Sequence, residues 1–298
     1  PGQGGLMDGT ILVLGATGKV GGAVVNGLAR EGARVRAATR DPARAAGLPA
    51  GVERVAFDLE APATFAPALD GVDRVFLIAR PGDEHADRVA APFLEAMRAS
   101  GVARVVNLTA LGTERRPEFA LRRVELAVEA SGLAYTHLRP GFFFQLFTTP
   151  PLVDAICRAG EIRVPAADAR LSFLDARDVG EVGARVLLSG AHDGRAYALT
   201  GAVAVDHGAV AAALSSASGA EVRYVPIDEA AARRELGEAG LPPPWVERVI
   251  TFYRLVRAGR AAAVTGDVEA VLGRPPIDLA TFARDHAGVF RPGGEARG

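Results

Sequence analysis

Three glycines spaced three residues apart, Gly15, Gly18 and Gly21, follow an unbroken apolar run at residues 11–14. A short apolar run of this kind predicts a strand that is buried on both faces of a parallel sheet. The apolar residues after the glycines recur at helical spacing, so the glycines lie at a strand-to-helix turn. In such a turn the backbone and the helix N-terminus can bind the pyrophosphate of a dinucleotide. A glycine-rich turn that binds nothing is the alternative.

Each glycine has a separate physical task in this interpretation. Gly15 permits a tight turn at the end of the strand, and Gly18, which has no Cβ, lets a pyrophosphate approach the backbone. Gly21 lets the helix pack closely on the strand. A lone glycine triplet is weak evidence, but its position between a buried strand and an amphipathic helix makes the dinucleotide prediction specific.

A basic residue stands where the choice between nicotinamide coenzymes is made. Residues 34–39 predict a second strand, and Arg40 follows it directly. An acidic residue at this position would bind the ribose 2′-hydroxyl of NAD, whereas a cation suits the 2′-phosphate of NADP. Arg44, one turn further on, can assist, while the neighbouring Asp41 argues in the opposite direction. The sequence therefore favours NADP(H) as cofactor, with a solvated surface arginine as the alternative.

Strand-like runs alternate with helical segments through the first half of the chain, which predicts an α/β fold with a Rossmann-like, doubly wound parallel sheet. Asp58 follows the third run, where it could accept a hydrogen bond from an adenine amino group or cap the next turn. After Pro150 the regular alternation of predicted strands and helices ends. The predicted strands are at residues 11–14, 34–39, 52–57, 74–79, 102–108 and 134–138.

We expect residues 7–150 to form the dinucleotide-binding domain and residues 151–290 a smaller substrate-covering lobe of the same continuous fold. Residues 1–6 precede Met7, the expected natural start, and residues 291–298 are expected to be a disordered tail. The whole chain has 298 residues, of which 49% are hydrophobic.

Composition narrows the classes of partner and compartment. The formal net charge is −1, so no basic excess points to nucleic acid or to an anionic membrane surface. No segment has the length and apolarity of a membrane span. Cys157 is the single cysteine, which excludes an intramolecular disulfide and any multi-cysteine metal site and fits a reducing cytoplasm. No metal is expected.

Aromatic residues cluster at one place in a chain that is only 6% aromatic. We expect core packing to take two members of the cluster and the others to line a pocket for an apolar, planar ligand. A second aromatic group lies on or near a later amphipathic helix and could close this pocket, or pack against the lobe or a partner subunit of a homodimer. The first group is Phe142, Phe143, Phe144 and Phe147, and the second is Trp245, Phe252 and Tyr253.

Several of these motifs together resemble the NmrA-like branch of the atypical short-chain dehydrogenases/reductases. They are the glycine turn at 15–21, TRDP at 39–42, the turn after Asp58, NLTA at 107–110, LRPGFF at 138–143 and SFLDARDV at 172–179. The resemblance covers most of residues 11–188 and extends more loosely to about residue 290. The branch includes NADPH-dependent quinone reductases, ergot-alkaloid-type reductases and sensors that bind NADP without turnover.

The resemblance also implies a role for individual residues. The pyrophosphate would be held at Gly15, Thr17, Gly18, Lys19 and Val20, the helix would pack at Gly21, and the 2′-phosphate would be bound by Arg40. Asp58 and Leu59 would flank the adenine. The nicotinamide ribose would be bordered by Ala79, Arg80 and Pro81, the nicotinamide by Thr109 and Ala110, and its ring by Phe142 and Phe143.

The chain departs from this superfamily at its catalytic residues. Members with the full apparatus carry a Ser, a Tyr and a Lys, and the Tyr polarises a carbonyl. The predicted helix at 119–130 contains no Tyr and no Lys, and none of the four tyrosines in the chain has the required spacing. Thr109 could replace the Ser, and Phe143 is the other candidate at the catalytic position.

A quinone or an iminium ion would not need that acid, because catalysis then reduces largely to positioning donor and acceptor. Two hypotheses therefore stand: an NADPH-dependent reductase of an apolar small molecule, which we favour, and a non-catalytic NADP(H)-binding regulator that acts through a protein partner.

The charged residues near the expected catalytic position, on the helix at 119–130 and the strand after it, are explained without a catalytic role. Arg139 could meet a substrate anion, but a structural ion pair is the favoured interpretation. His137 is expected to be a packed core histidine. Arg122, Glu125 and Glu129 are spaced for ion pairs along one helix and predict a solvated helix face.

Overall fold

A computed structural model describes residues 9–45, 47–80 and 82–290. Its strands are β1 (Thr10–Val13), β2 (Arg34–Thr39), β3 (Glu53–Ala56), β4 (Val72–Ile78), β5 (Arg104–Leu108), β6 (Ala134–Pro140), β7 (Glu161–Val164), β8 (Arg195–Leu199) and β9 (Arg223–Pro226). Seven of these strands form one parallel sheet in the order β3-β2-β1-β4-β5-β6-β8, and β7 pairs with β9 in a second parallel sheet.

The helices of the described residues are α1 (Lys19–Arg30), α2 (Phe65–Leu69), α3 (Ala86–Ala99), α4 (Ala120–Ala130), α5 (Leu152–Ala159), α6 (Ala176–Leu187), α7 (His207–Ser218), α8 (Glu229–Glu238), α9 (Pro243–Arg257), α10 (Asp267–Leu272) and α11 (Leu279–Asp285). Three of them begin at an aspartate cap: the side chains of Asp206, Asp228 and Asp278 each accept a hydrogen bond from a backbone amide in the first turn of α7, α8 and α11. Among the described residues, no helix is long and apolar enough to cross a membrane.

The chain divides into two compact units. The first contains the described residues up to Pro140 together with Ala176–Leu199 and Asp267–Arg274, and it holds the seven-stranded sheet. Leu12 and Leu77 contribute to a core that also includes residues of α2, α3 and α4. α1 packs against α6, which approaches Phe76 of β4 at Gly183. Because β1 is fully buried, its apolar run is satisfied on both faces.

The second unit comprises Gly141–Asp175, Thr200–Gly266 and the described residues from Pro275 to Phe290. Its core is aromatic, with Phe144 stacked on Phe173 and Phe282 and with Phe147 edge-on to Phe173. The division differs from the expected boundary at Pro150, because the chain enters the second unit at Gly141 and later returns to the first unit to supply α6 and β8.

The predicted fold class is confirmed, since the sheet is parallel and its strand order reverses beside β1. The six predicted strands of the first half are all present: β2 has the predicted bounds, and the ends of the other five differ by at most two residues. The expected start at Met7 and the expected tail at 291–298 lie outside the described residues.

Candidate functional site

A cleft of about 1010 Å³ lies at the carboxyl edge of the large sheet, where β1, β2, β3 and β4 end. In a doubly wound sheet this edge, beside the point where the strand order reverses, is where ligands bind. Eight of the predicted cofactor residues line it: Gly15, Thr17, Gly18, Arg40, Asp58, Leu59, Ala79 and Arg80. The structure therefore brings together residues that are up to 65 positions apart between Gly15 and Arg80.

The glycine turn has the geometry that a bound diphosphate requires. Gly15 adopts a φ of +63°, which a residue with a side chain rarely takes, and its carbonyl accepts a 2.8 Å hydrogen bond from the Gly18 amide. A Cβ on Gly21 would lie 2.2 Å from that same carbonyl oxygen, so only glycine lets α1 approach the turn. Gly21 is buried in this contact and does not line the cleft.

The N-terminus of α1 has no competing anion of its own. Gly18 is the N-cap, no side chain caps the helix, and its first turn contains no acidic residue. Lys19 and Val20 are its first two residues, and partial burial lowers the pKa of the Lys19 ammonium group. A helix start with open amides and no internal cap fits a phosphate group.

Arg40 lies in this cleft at the end of β2, and its side chain is exposed. Within the described part of the chain no carboxylate pairs with its guanidinium group. The neighbouring Asp41 instead accepts a 3.1 Å hydrogen bond from the Ala43 amide. A cation without a carboxylate partner at this position suits a 2′-phosphate, as the sequence predicts. The side chain of Arg44 lies outside the description.

The position of Asp58 is compatible with both of its predicted roles, a hydrogen bond to the adenine and a cap of the next turn. It lines the cleft, and its Oδ1 accepts a 3.0 Å hydrogen bond from the Glu60 amide in the following turn. Sequence reasoning missed Glu60, which forms an exposed 3.2 Å ion pair with Arg80 inside the cleft lining. Other lining residues that were missed are Phe57, Ile78, Asp83 and Val89; the first two directly mark strand ends, which is the signal that could have identified them. Pro81 lies outside the described residues.

Thr109 and Ala110 continue the carboxyl edge beyond the cleft lining. Ile78 of β4 is in register with Leu108 of β5, so Thr109 comes next to Ala79, which lines the cleft. The Thr109 hydroxyl is already engaged: Oγ1 donates a 2.8 Å hydrogen bond to Oε1 of Glu125 on α4. Its backbone amide donates to the Leu138 carbonyl.

Glu125 is the buried centre of a group that we call the Glu125 clamp: Glu125, Thr109, Arg122 and Arg139. Its carboxylate accepts two hydrogen bonds from Arg139, at 2.8 and 2.9 Å, and one from Arg122 at 2.7 Å. Burial raises the pKa of Glu125, but the hydrogen bonds from Arg139, Thr109 and Arg122 outweigh burial and hold the pKa below its usual value. The carboxyl group is therefore ionised at neutral pH.

The clamp corrects one sequence prediction and agrees with two others. The predicted solvated helix face is wrong at Glu125, whose side chain is 0% exposed. The spacing of Glu125 and Arg122 along α4 is typical of a surface ion pair, but residues at the ends of β5 and β6 cover the Glu125 side chain. Arg139 is in a structural ion pair, and His137 is a buried histidine whose Nδ1 lies 3.2 Å from Asn107 Nδ2.

The predicted substrate residues all belong to the second unit, or lie on its first segment, and they have different environments. Phe144, Phe147 and Tyr253 are in its hydrophobic core, so their rings are not available to line an open pocket. This corrects their assignment, although two of the four clustered phenylalanines were expected in the core. Phe142 and Phe143 are half-buried, and the Phe142 ring lies 4.4 Å from the half-buried Phe252 ring. Trp245 is exposed, with the Arg248 guanidinium 5.0 Å from its ring centre.

Comparisons with known proteins place this arrangement in a family. Residues 15–151 match the family model described as NAD(P)H-binding. The chain is 35% identical over 285 residues to an NAD(P)H azoreductase of Xenophilus azovorans, covering 94% of this chain and 99% of that protein. The chain belongs to the family of NAD(P)H-binding reductases that includes this azoreductase.

Solved structures agree with this assignment. The NADPH-dependent quinone oxidoreductase of Escherichia coli, in complex with NADPH, superposes with a TM-score of 0.80 at 25% identity, over 92% of this chain and 99% of that one. The NADP complex of NmrA, a negative transcriptional regulator, shares the fold with a TM-score of 0.75 at 19% identity, over 94% and 95% of the two chains. The named relatives show that the protein is an NAD(P)H-dependent oxidoreductase, and its predicted nicotinamide coenzyme is confirmed.

Proposed function

We propose that this protein is an NADPH-dependent reductase that transfers a hydride to an apolar, planar, conjugated acceptor such as a quinone or an iminium ion. The observation that carries the proposal is the engaged hydroxyl of Thr109. Its hydrogen is donated to an ionised carboxylate, and α4 supplies neither a tyrosine nor a lysine. Among the described residues, neither Thr109 nor α4 therefore offers the acid that the Ser-Tyr-Lys apparatus would supply to a substrate carbonyl. The relatives named azoreductase and quinone oxidoreductase agree with acceptors of this conjugated class.

The cleft residues bind and orient the coenzyme in this proposal. The open amides at the start of α1 hold the diphosphate, and Arg40 holds the 2′-phosphate. Asp58 and Leu59 flank the adenine. The edge formed by Ala79, Arg80, Thr109 and Ala110 borders the nicotinamide half.

Bound NADPH supplies the hydride. The protein contributes binding and orientation, since a conjugated acceptor needs no positioned acid. A quinone that accepts a hydride takes one proton from solvent and becomes a hydroquinone, while NADPH becomes NADP⁺. An iminium ion that accepts a hydride becomes a neutral amine and needs no proton.

We further propose that the half-buried rings of the second unit, Phe142, Phe143 and Phe252, contact the acceptor, together with the exposed Trp245. Planar aromatic surfaces favour offset stacking with a conjugated ligand. Phe143 then acts by packing, because its side chain carries no group that could transfer a proton.

A panel of acceptors tests the function. NADPH oxidation is followed with a benzoquinone, a naphthoquinone, a cationic iminium dye, an azo dye and a saturated ketone. We expect turnover with the conjugated acceptors and none with the ketone. Turnover of the ketone alone would refute the acceptor class. NADPH binding at micromolar concentration without oxidation by any acceptor would instead support the non-catalytic regulator.

A cytoplasmic location and a homodimeric state also remain part of this proposal. The single cysteine fits a reducing compartment. Sedimentation or light scattering of the purified protein measures its oligomeric state directly.

A further inference from the structure

The Glu125 clamp joins three elements of the first unit through one carboxylate. Thr109 follows β5, Arg139 lies near the end of β6, and Glu125 is on α4. Both carboxylate oxygens are fully used: Oε1 accepts from Thr109 and from Arg139 Nε, and Oε2 accepts from Arg122 and from Arg139 Nη2. A buried carboxylate with four donors fixes the position of every group that binds it.

The clamp also decides what the Thr109 hydroxyl can do. A threonine hydroxyl has one hydrogen and two acceptor lone pairs. The hydrogen has two neighbouring acceptors, the Glu125 carboxylate at 2.8 Å and the Leu138 carbonyl at 3.4 Å. The shorter, charge-assisted bond is the stronger of the two, so the hydrogen stays on the Glu125 side. Thr109 can therefore accept a hydrogen bond from a ligand but cannot donate one.

The strand order locates Thr109 along the edge. The cleft follows the ends of β3, β2, β1 and β4, and Arg40 marks the end of β2. A dinucleotide whose 2′-phosphate lies at β2 and whose diphosphate lies at β1 extends its nicotinamide half toward β4 and β5. Thr109 is the residue directly after β5, beside Ala79 at the end of β4.

We propose that Glu125 is a positioning residue for the nicotinamide. It holds Thr109 as a fixed hydrogen-bond acceptor for the carboxamide N–H, and this bond sets the face of the ring that is presented to the hydride-accepting substrate. This inference rests on the proposed function, because it assigns the nicotinamide half to the end of β5. Without this contact the protein would offer the carboxamide no fixed hydrogen-bond acceptor at Thr109, and either face of the ring could be presented to the hydride acceptor.

Two variants of Thr109 and one matched control test the proposal. Thr109→Val removes the hydroxyl oxygen without changing the shape of the side chain, and Thr109→Ser keeps the hydroxyl group. Thr136→Val is the control, because Thr136 is also a buried threonine of this sheet, on β6, whose hydroxyl donates to the His192 carbonyl outside the clamp. The dissociation constant of NADPH is measured by fluorescence titration. We expect a rise of about two- to tenfold for Thr109→Val, and no change for Thr109→Ser or Thr136→Val.

Hydride stereochemistry gives a readout that a purely structural role would not change. NADPH deuterated at one or the other C4 position is oxidised with a quinone, and the deuterium retained in NADP⁺ is measured. The native protein and the two control variants should use one face, and Thr109→Val should use both. Unchanged affinity together with unchanged facial selectivity in Thr109→Val would overturn the proposal.

A double-mutant cycle tests whether Glu125 acts through Thr109. Glu125→Gln should weaken NADPH binding at least as much as Thr109→Val, and the double variant should bind no more weakly than Glu125→Gln alone. Strictly additive effects would refute the assignment. If Glu125→Gln does not fold, the Thr109 variants decide the question by themselves. Native protein that binds NADPH but oxidises it with no acceptor would refute the proposed reductase, whereas the affinity measurements would still decide the positioning role.

Discussion

His207 should make the second unit sensitive to acid. It is the first residue of α7, its side chain is fully buried, and neither ring nitrogen has a hydrogen-bond partner in the structure. Aromatic rings surround it: Tyr224 stacks at 5.4 Å and Phe173 lies edge-on at 5.7 Å. Burial lowers the pKa of His207 to about 4, although the carboxylate of Asp206 acts in the opposite direction. The imidazole is therefore neutral in the folded protein at neutral pH.

The size of the effect follows from the difference between the folded and unfolded pKa values. Below pH 6.5 the unfolded chain binds a proton at His207 that the folded chain does not bind until about pH 4. Stability is therefore retained above pH 6.5 and is lost as the pH falls toward 4. The difference between the ordinary histidine pKa of 6.5 and the folded-state value of about 4 corresponds to about 3 kcal/mol in total. About 2 kcal/mol of it is lost between pH 7.5 and pH 5.

Urea unfolding at pH 7.5 and at pH 5 measures this loss. Trp245, the single tryptophan, belongs to the same unit as His207, so its fluorescence reports the relevant transition. His207→Leu is the test variant, because leucine keeps an apolar side chain of similar volume and cannot bind a proton. The decrease in unfolding free energy on acidification should be about 2 kcal/mol smaller in His207→Leu than in the native protein. An equal decrease in both proteins would refute the reasoning.

Three further outcomes follow from the structure. Arg40→Asp should weaken NADPH binding about tenfold or more and leave NADH binding nearly unchanged, since only NADPH carries the 2′-phosphate. Charge reversal at the exposed Arg54, outside the cleft lining, serves as the control. Equal losses of affinity for both coenzymes would show that Arg40 does not bind the 2′-phosphate. Gly21→Ala should abolish NADPH binding in equilibrium titration, because its Cβ would lie 2.2 Å from the Gly15 carbonyl oxygen; native affinity would contradict the close packing of α1. Phe147→Ala should lower the unfolding free energy by about 3–5 kcal/mol, because Phe147 is fully buried. Val203→Ala, at an exposed site, should change it by less than about 0.5 kcal/mol. Equal changes in unfolding free energy for the two variants in urea titrations would show that Phe147 is not a core residue.

The cofactor end of the site could be predicted because its signals are local. The glycines, the buried run before them and the helix after them are contiguous, and each has a specific steric task. Arg40 was found for the same reason, since it directly follows a strand whose bounds the sequence predicted without error. Parallel strands then bring their carboxyl ends to one edge, so Asp58 and Ala79 could be assigned to the same cleft as Gly15.

The aromatic residues could not be sorted in this way. Four phenylalanines within six positions share the same chemical character, and only packing decides their environment. Phe144 and Phe147 are buried because Phe173 and Phe282, from distant parts of the chain, pack on them. Phe142 stays half-buried beside Phe252.

Sequence alone thus determined the parallel α/β framework, and it predicted the dinucleotide turn and Arg40 as the cation for a 2′-phosphate, because strand, turn and helix signals act between neighbouring residues. Tertiary structure decided the acid–base character of the edge. Glu125 has the spacing of a surface ion pair with Arg122, and it is buried only because the ends of β5 and β6 bring Thr109 and Arg139 onto it. The burial of a charged group depends on partners that are distant in sequence, so no local pattern could reveal that the Thr109 hydrogen is already engaged.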